Sequence, residues 1–337
     1  MTATQHLFFS ALRPDECVEL RILGMPTPYG GTSTVSGYFD SPEELEKAAT
    51  KYTVQGGNAY CTINPCPLDL AARTGINQVS TRKGTPTTAD KDILRRTHLL
   101  FDLDHSRPSG IAANEHELHA ALALGQKMAD DLRVEGWPEP ITINSGNGCH
   151  LIYRIDLGNT AEDLKKVKSI LKWADTRWGD PGGVRIDQTV CNAARISRLP
   201  GSINRKGAGS PDRPHRRSVV IFQPALLETV PGEVLGLCAA AEQVSGRLEF
   251  AGSFDLEEFI ARNLPEARGP IPYEDGVKWT LQVCPWNPAH DNNAAFVIRR
   301  GDGRIGAGCL HNGCQGNNWR QLRALFETVP TRPVAVQ

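Results

Sequence analysis

The sequence predicts an α+β protein: a mixed β-sheet core with helices packed against it, followed by a small module that carries cysteine and histidine. Three observations lead there. Short apolar stretches bounded by turn residues alternate with helix-length amphipathic segments as far as Phe222. After Gln223 the composition changes, with alanine and glutamate rising through Ala225–Gln243. Three of the nine cysteines then fall in the last sixty residues, beside histidines.

The 337 residues carry 37 Lys and Arg against 38 Asp and Glu, a net charge of −1, and 40% are hydrophobic. This excludes a fibrous, collagenous or generally disordered chain, and at ~150 residues per domain it predicts about two domains. Apolar stretches such as Thr97–Phe101 and Ser218–Phe222 fall far short of the ~20 residues of a membrane span. Met1–Ser10 has no basic start followed by an apolar run, so a cytoplasmic protein without a membrane partner is expected. There, an odd number of cysteines fits metal binding better than disulfides.

Ser41-Pro42-Glu43-Glu44 supplies an N-cap, a proline at N1 and an N3 glutamate, which predicts a helix to about Tyr52, stopped by Gly56-Gly57. Strands follow at Asn58–Ile63 and at Thr97–Asp104, the second buried through Leu99, Phe101 and Leu103. Asn114 and Glu117 form a capping box for a helix carrying Leu118, Leu122, Met128, Ala129 and Leu132, ended by Gly136-Trp137-Pro138. Ile141–Asn144 and Cys149–Ile155 read as strands joined by the tight Ser145-Gly146-Asn147-Gly148 connection. A helix over about Ala161–Trp178 and short strands at Val184–Asp187 and Ser218–Phe222 complete the core. Ala225–Gln243 reads as a helical connector and the Gly-Pro-rich Arg268–Pro272 as a linker. From Lys278 to Glu327 the pattern is a strand, a Cys/His cluster, a hairpin of Ala294–Ile298 with Arg304–Ala307, and a terminal helix. The expected division is a core over residues 1–223, a connector over 224–277 and a metal module over 278–330.

Phe101-Asp102-Leu103-Asp104 puts two carboxylates at i and i+2 of a strand, on the same face. Two such carboxylates repel unless a cation lies between them, and Mg²⁺ or Mn²⁺ suits oxygen ligands completed by phosphates. Asp187, just after a short strand, could bring a third, giving a set able to hold two ions for in-line phosphoryl transfer. The plainer readings are a turn-forming pair and a capping aspartate. His150 follows the glycine connection, whose backbone N–H groups could meet phosphate oxygens; the competing reading is a hydrogen-bonded core histidine. Between Cys191 and Arg217 lie Arg195, Arg198, Arg205, Lys206, Arg213, Arg216 and Arg217, opposed within that stretch only by Asp212. Such a loop is either a phosphate contact or a solvated basic surface.

The series LLFDLDHSRPSG, INSGNGCHLIYRI and VRIDQTVCNAARISRLPGSINRKG resembles, in order and spacing, three motifs of the archaeo-eukaryotic primase superfamily, in the primase-polymerase branch found in phage and plasmid replication. The resemblance spans about Gly37 to Phe222 and implies an RRM-like catalytic core. It implies that Asp102, Asp104 and Asp187 hold two catalytic Mg²⁺ or Mn²⁺ ions and that His150 contacts the phosphates of an incoming nucleotide. It likewise gives Arg195, Arg198, Asn204 and Lys206 to the triphosphate or the template backbone. One departure is Gly148, where the family often has serine two residues before the histidine, so Ser145, Asn147 or backbone N–H groups must serve instead. Tyr60 and Asn64, in NAYCTINP, resemble the upstream strand of the branch and either line the nucleotide's sugar or belong to the core.

Cys284-x5-His290, eighteen residues, then Cys309-x4-Cys314 offers Cys₃His to one tetrahedral, structural Zn²⁺, with unligated buried thiols as the alternative. His311 could replace Cys309 or stand behind it. CPWNPAH and CLHNGC also resemble the small zinc modules that follow primase cores, which implies a grip on single-stranded template through Trp286, Phe296, Arg299, Arg300 and Arg304. An architectural module is the other reading. Together these features predict a template-directed nucleotidyltransferase, a DNA primase, a DNA polymerase or both, acting on single-stranded DNA with nucleoside triphosphates. No G-x-x-x-x-G-K-[ST] run is present, so no NTP-driven helicase motor is expected in this chain; members of the branch it resembles are often joined to one, which implies a replicative helicase as a partner, fused or separate. The alternatives are a non-catalytic replication initiator or single-stranded-DNA-binding protein on the same fold, and a metal nuclease using the same aspartates.

Overall fold

The computed structural model describes residues 4–28, 30–82, 84–240, 255–301, 303–311, 314 and 317–326. They divide into two compact units, Met1–Gln243 and Val244–Gln337. In chain order the first unit carries β1 (Glu16–Pro26), β2 (Thr32–Phe39), α1 (Pro42–Val54), β3 (Asn58–Thr62), β4 (Cys66–Pro67) and β5 (Gln78–Ser80). Next come β6 (Arg96–His105), α2 (Glu115–Val134), β7 (Ile141–Asn144), β8 (Cys149–Leu157), α3 (Ala161–Trp178) and β9 (Val184–Ile186). Last are β10 (Ile196–Arg198), β11 (Ile203–Asn204), β12 (Arg216–Arg217), β13 (Val219–Phe222) and α4, over residues 232–240.

The α+β class holds, with the strands shared between two main sheets instead of one. One has the order β10-β3-β1-β2-β5, with β4 on β1, and the other β13-β7-β8-β6-β9; the ladders of both are antiparallel. α1 packs on the first sheet and α2 on the second, while α3 lies against β9. Apolar residues of both sheets and all three helices form one buried cluster, from Leu20 and Phe39 through Phe101 and Leu151 to Met128 and Ile170. All three helices start as their sequences predict. Ser41 accepts from the Glu44 N–H at 3.3 Å, and the Asn114–Glu117 box closes with two bonds of 2.9 Å.

β1 and β2 were not foreseen. In β1 the charged residues Glu16, Glu19 and Arg21 interrupt the apolar pattern, yet Glu19 is fully buried because the Arg21 guanidinium and the Thr88 N–H satisfy its carboxylate.

The second unit holds α5 (Leu256–Asn263), β14 (Arg268–Tyr273), β15 (Gly276–Leu281), β16 (Ala295–Arg299), β17 (Ile305–Cys309) and α6 (Trp319–Ala324), with the strands in sequential antiparallel order. The hairpin and terminal helix fall where expected. The passage read as a linker, Arg268–Pro272, is instead the edge strand β14, where proline is tolerated because one side of the strand has no ladder partner. Of the connector, residues 232–240 are helical within the first unit, and 241–254 lie outside the described residues. Leu256, Phe259, Trp279, Leu281, Val297 and Leu322 make a small core that also includes Cys284 and Cys314.

Candidate functional site

Along β6, Leu100, Asp102 and Asp104 share one face, while Phe101 and Leu103 are fully buried on the other. Register then gathers the rest. His150 of β8 lies directly across from Asp102, its Nε2 3.4 Å from Oδ1. On the other flank β9 pairs Ile186 with Leu103, and one step further the Asp187 N–H donates to the Asp102 carbonyl at 2.9 Å. Asp187 thus sits beside Asp102 in the ladder. Its carboxylate, however, accepts from the Thr189 N–H at 2.7 Å, the capping role weighed as its plainer reading, and it does not line the cavity.

That cavity, about 490 Å³, has Asp102, Asp104 and His150 on one wall and Arg195, Arg198, Arg205 and Lys206 on another, with Leu23, Leu100 and Ile196 as apolar lining. Burial works to raise the Asp102 carboxyl, but His150, Arg195 and Lys206 outweigh it and hold it below the usual range. Asp104 goes the other way. Burial and the charge of Asp102 push it up to about 6, against the pull of Arg107 at 3.0 Å and Lys206 at 3.9 Å. A pair whose affinities for protons split in this way is one that a cation would relieve, so oxygen-loving divalent ions suit it.

The connection before His150 corrects one expectation. Its N–H groups are already engaged: Gly146 donates to Asn144 Oδ1 at 2.8 Å, and Asn147 and Gly148 donate to Ser145 Oγ at 3.4 and 3.1 Å. Ser145 and Asn147 line the cavity, but the Ser145 hydroxyl closes the turn and Asn147 Oδ1 accepts from the Ala113 N–H at 2.7 Å. The departure at Gly148 has a physical cause. A Cβ there would lie 2.2 Å from Asp104 Oδ1 and 2.3 Å from the Leu103 carbonyl, so glycine is what lets the turn back onto the carboxylate.

The basic loop divides in two. Arg198 is buried, its guanidinium 4.3 Å over the Tyr60 ring and bonded to the Tyr60 hydroxyl and to Asn58 Oδ1 at 3.3 Å. Burial lowers its proton affinity, though a guanidinium stays charged. Arg195 is braced by Asn192 and Thr189, while Asn204 donates to the Ser145 carbonyl at 2.9 Å and so ties the loop to the turn. Arg213 and Arg216, by contrast, are not available to a phosphate. Arg213 makes a two-pronged pair with Glu117 at 2.7 and 2.8 Å, and Arg216 reaches Glu115 at 3.1 Å. Asn64, considered for the sugar, is a core residue: its amide donates to the Ala193 carbonyl and accepts from the Thr97 and His98 N–H groups. Tyr60 does line the cavity. Sequence reasoning missed Arg107, Asn58 and Ser197, which contact Asp104, Arg198 and His150 respectively.

In the second unit the four expected donors, Cys284, His290, Cys309 and Cys314, lie within 4.8 Å of one another. Tetrahedral Zn²⁺ with bonds near 2.3 Å to sulfur requires S···S edges of about 3.8 Å and slightly shorter S···N edges. Cys284 and Cys314 Sγ are 3.7 Å apart, and His290 Nδ1 is 3.4 Å from Cys314 and 3.8 Å from Cys309. Burial and the neighbouring Cys284 and Cys309 thiols push Cys314 up to about 11, a strain that a bound cation removes. The cluster therefore fits a metal such as zinc. His311 stands behind it, stacked on His290 at 3.9 Å with Nδ1 3.3 Å from Cys309 Sγ. Arg299 and Arg300, expected to face nucleic acid, are paired with Glu257 and Glu274 at 2.8 and 2.7 Å.

Fold and site together describe an α+β protein with an acidic and cationic cavity and a Cys₃His group. No protein-family model matches the chain, and no curated protein matches it. Among solved structures it is similar to the crystal structure of primase RepB', with 13% identity and a TM-score of 0.38 over 74% of this chain and 64% of that one. It thus spans just under two thirds of that neighbour's length. A second similar structure is the catalytic domain of primase RepB' in complex with initiator DNA, with 14% identity and a TM-score of 0.36 over 68% of this chain and 90% of that one. Among the described residues no helix is long and apolar enough to cross a membrane.

Proposed function

We propose that the chain is a template-directed nucleotidyltransferase of replication, a DNA primase or polymerase whose catalytic part lies within residues 1–223 and whose metal module lies within 278–330. The observation that carries this reading is the cavity in which Asp102 and Asp104 face Arg195, Arg198, Arg205 and Lys206. A lone acidic site suits a cation and a lone basic one suits an anion; the two together suit a nucleoside triphosphate with its divalent ion. Asp102 and Asp104, joined by Asp187 once it leaves its cap, would hold Mg²⁺ or Mn²⁺, which when bound activates the attacking hydroxyl and offsets phosphate charge. Lys206 neutralises the phosphate oxygens beside the carboxylates, and the His150 imidazole donates a hydrogen bond to one of them. Arg198, fixed on Tyr60, presents its guanidinium to the same anion, and Arg195 and Arg205 extend the positive wall towards a template strand. Zn²⁺ at the Cys₃His group would hold the second unit together, leaving its strands and helices to contact single-stranded DNA.

The test is a primer-free assay on single-stranded DNA with labelled nucleoside triphosphates and Mg²⁺ or Mn²⁺, comparing the protein with its Asp102→Ala/Asp104→Ala variant. Short products from the first and none from the second are expected. If primer-free reactions are silent, extension of a primed template by the unaltered protein alone identifies a polymerase without priming. Silence there as well, with DNA still bound in EDTA, overturns the catalytic reading in favour of a binding protein.

A further inference from the structure

We propose that Ser197 is a positioning residue that fixes the orientation of the His150 imidazole through a hydrogen bond crossing from one sheet of the first unit to the other. The functional weight of this inference rests on the reading of His150 as a triphosphate contact. Ser197 belongs to β10, at the edge of the β1 sheet, whereas His150 and Asp102 are cross-strand partners in the β6 sheet. The serine is 1% exposed, and its hydroxyl lies 3.1 Å from His150 Nδ1. At the other nitrogen, Nε2 is 3.4 Å from Asp102 Oδ1. The ring is therefore held at both ends.

The pairing also sets the tautomer. An ionised Asp102 can only accept, so Nε2 carries the proton, and in the neutral ring Nδ1 is left to accept from the Ser197 hydroxyl. A flipped ring would turn carbon towards both partners. The Ser-His-Asp series is not a hydrolytic relay, because Ser197 is buried and does not line the cavity, so its oxygen cannot reach a substrate. The next residue on this strand is Arg198, which does line the cavity. One three-residue strand thus carries both a cavity cation and the anchor of the cavity imidazole.

The experiment uses the full chain and two readouts. In a long-range ¹H–¹⁵N spectrum, with the ring assigned by His150→Gln, the unaltered protein should show the Nε2–H tautomer and Ser197→Ala a mixed or reversed population. Affinity for the Mg²⁺ complex of a non-hydrolysable deoxyadenosine triphosphate analogue should fall about tenfold in Ser197→Ala, the size of one lost hydrogen bond. Ser197→Thr, which keeps the hydroxyl, should restore both. A His150 spectrum unchanged by Ser197→Ala overturns the inference. Should that variant fail to fold, a ring of the unaltered protein that is averaged or Nδ1-protonated overturns it equally. If the unaltered protein binds no triphosphate while the spectrum responds to Ser197→Ala, the nucleotidyltransferase reading falls and the positioning role stands.

Discussion

The cavity of the first unit and the Cys₃His cluster of the second each gather groups that suit a cation, by opposite means. In the cavity, several charged groups already have partners within the chain: His150 stands beside Asp102, Arg107 and Lys206 beside Asp104, and Tyr60 and Asn58 hold Arg198. The cluster is three thiols and an imidazole crowded together, their donor atoms within 4.8 Å of one another. A site balanced by its own side chains keeps its shape without an ion, whereas an unbalanced one has a reason to be compact only when the ion is present. The first site should lose function on metal removal, and the second should lose structure.

The sharpest way to break that contrast is Cys314→Ser or exhaustive chelation. Either should melt the second unit outright, since a structural zinc contributes on the order of 10 kcal/mol and the small core there includes two of the ligands. Limited proteolysis followed by mass spectrometry should then cut throughout residues 255–326 and leave the first unit intact; equal resistance with and without metal would erase the distinction. Next in size, Asp102→Ala or Asp104→Ala should lower nucleotide incorporation about 10³-fold. The circular dichroism spectrum should not change, because among the described residues these carboxylates accept no backbone hydrogen bond.

A smaller effect is expected for Gly148→Ala, whose added Cβ must displace Asp104. We expect a cost of about 1–3 kcal/mol in thermal stability and a weaker Mn²⁺ affinity by paramagnetic titration. A variant with wild-type affinity would show that the turn does not set the carboxylate. Smallest is the acid response of the Glu117–Arg213 pair, away from both sites. The Arg213 guanidinium holds Glu117 down to about 2 from 4.5, so the pair stabilises the fold above pH 4.5 and loses that contribution as pH falls towards 2. Glu117→Gln keeps the helix cap but should flatten this limb of Tm against pH; an unaltered limb would assign acid sensitivity elsewhere.

Much of this was legible in the sequence where the information is local. The Ser41 N-cap, the Asn114–Glu117 capping box, the i and i+2 aspartates on one face, and the spacing of the four metal donors depend on neighbours a few residues away, and all appear as expected. What escaped depends on distant partners. Arg213 and Arg216 read as a free basic stretch because the carboxylates that bind them, Glu117 and Glu115, lie about a hundred positions earlier in the chain. β1 hid its strand pattern behind Glu19, whose burial makes sense only once Thr88 is folded beside it. Asp187 sits where register predicts, but the choice of its side chain between cap and cavity is a matter of rotamer and cannot be read from spacing.

The pairing of Arg213 and Arg216 with the start of α2 bears on how an anion would arrive. A loop so rich in glycine and proline would ordinarily be ordered anew at each encounter, slowing association and weakening it by about 0.5–1.5 kcal/mol for every side chain immobilised. Here both arginines also donate to the Ala112 and Ala113 carbonyls at 2.6 Å, so the loop is moored when the chain folds. On the proposed reading, Arg205 and Lys206, which line the cavity, would meet an incoming phosphate from a standing posture. The capture rate should be governed by diffusion and long-range attraction, falling steeply with ionic strength, and not by any closing motion of the loop.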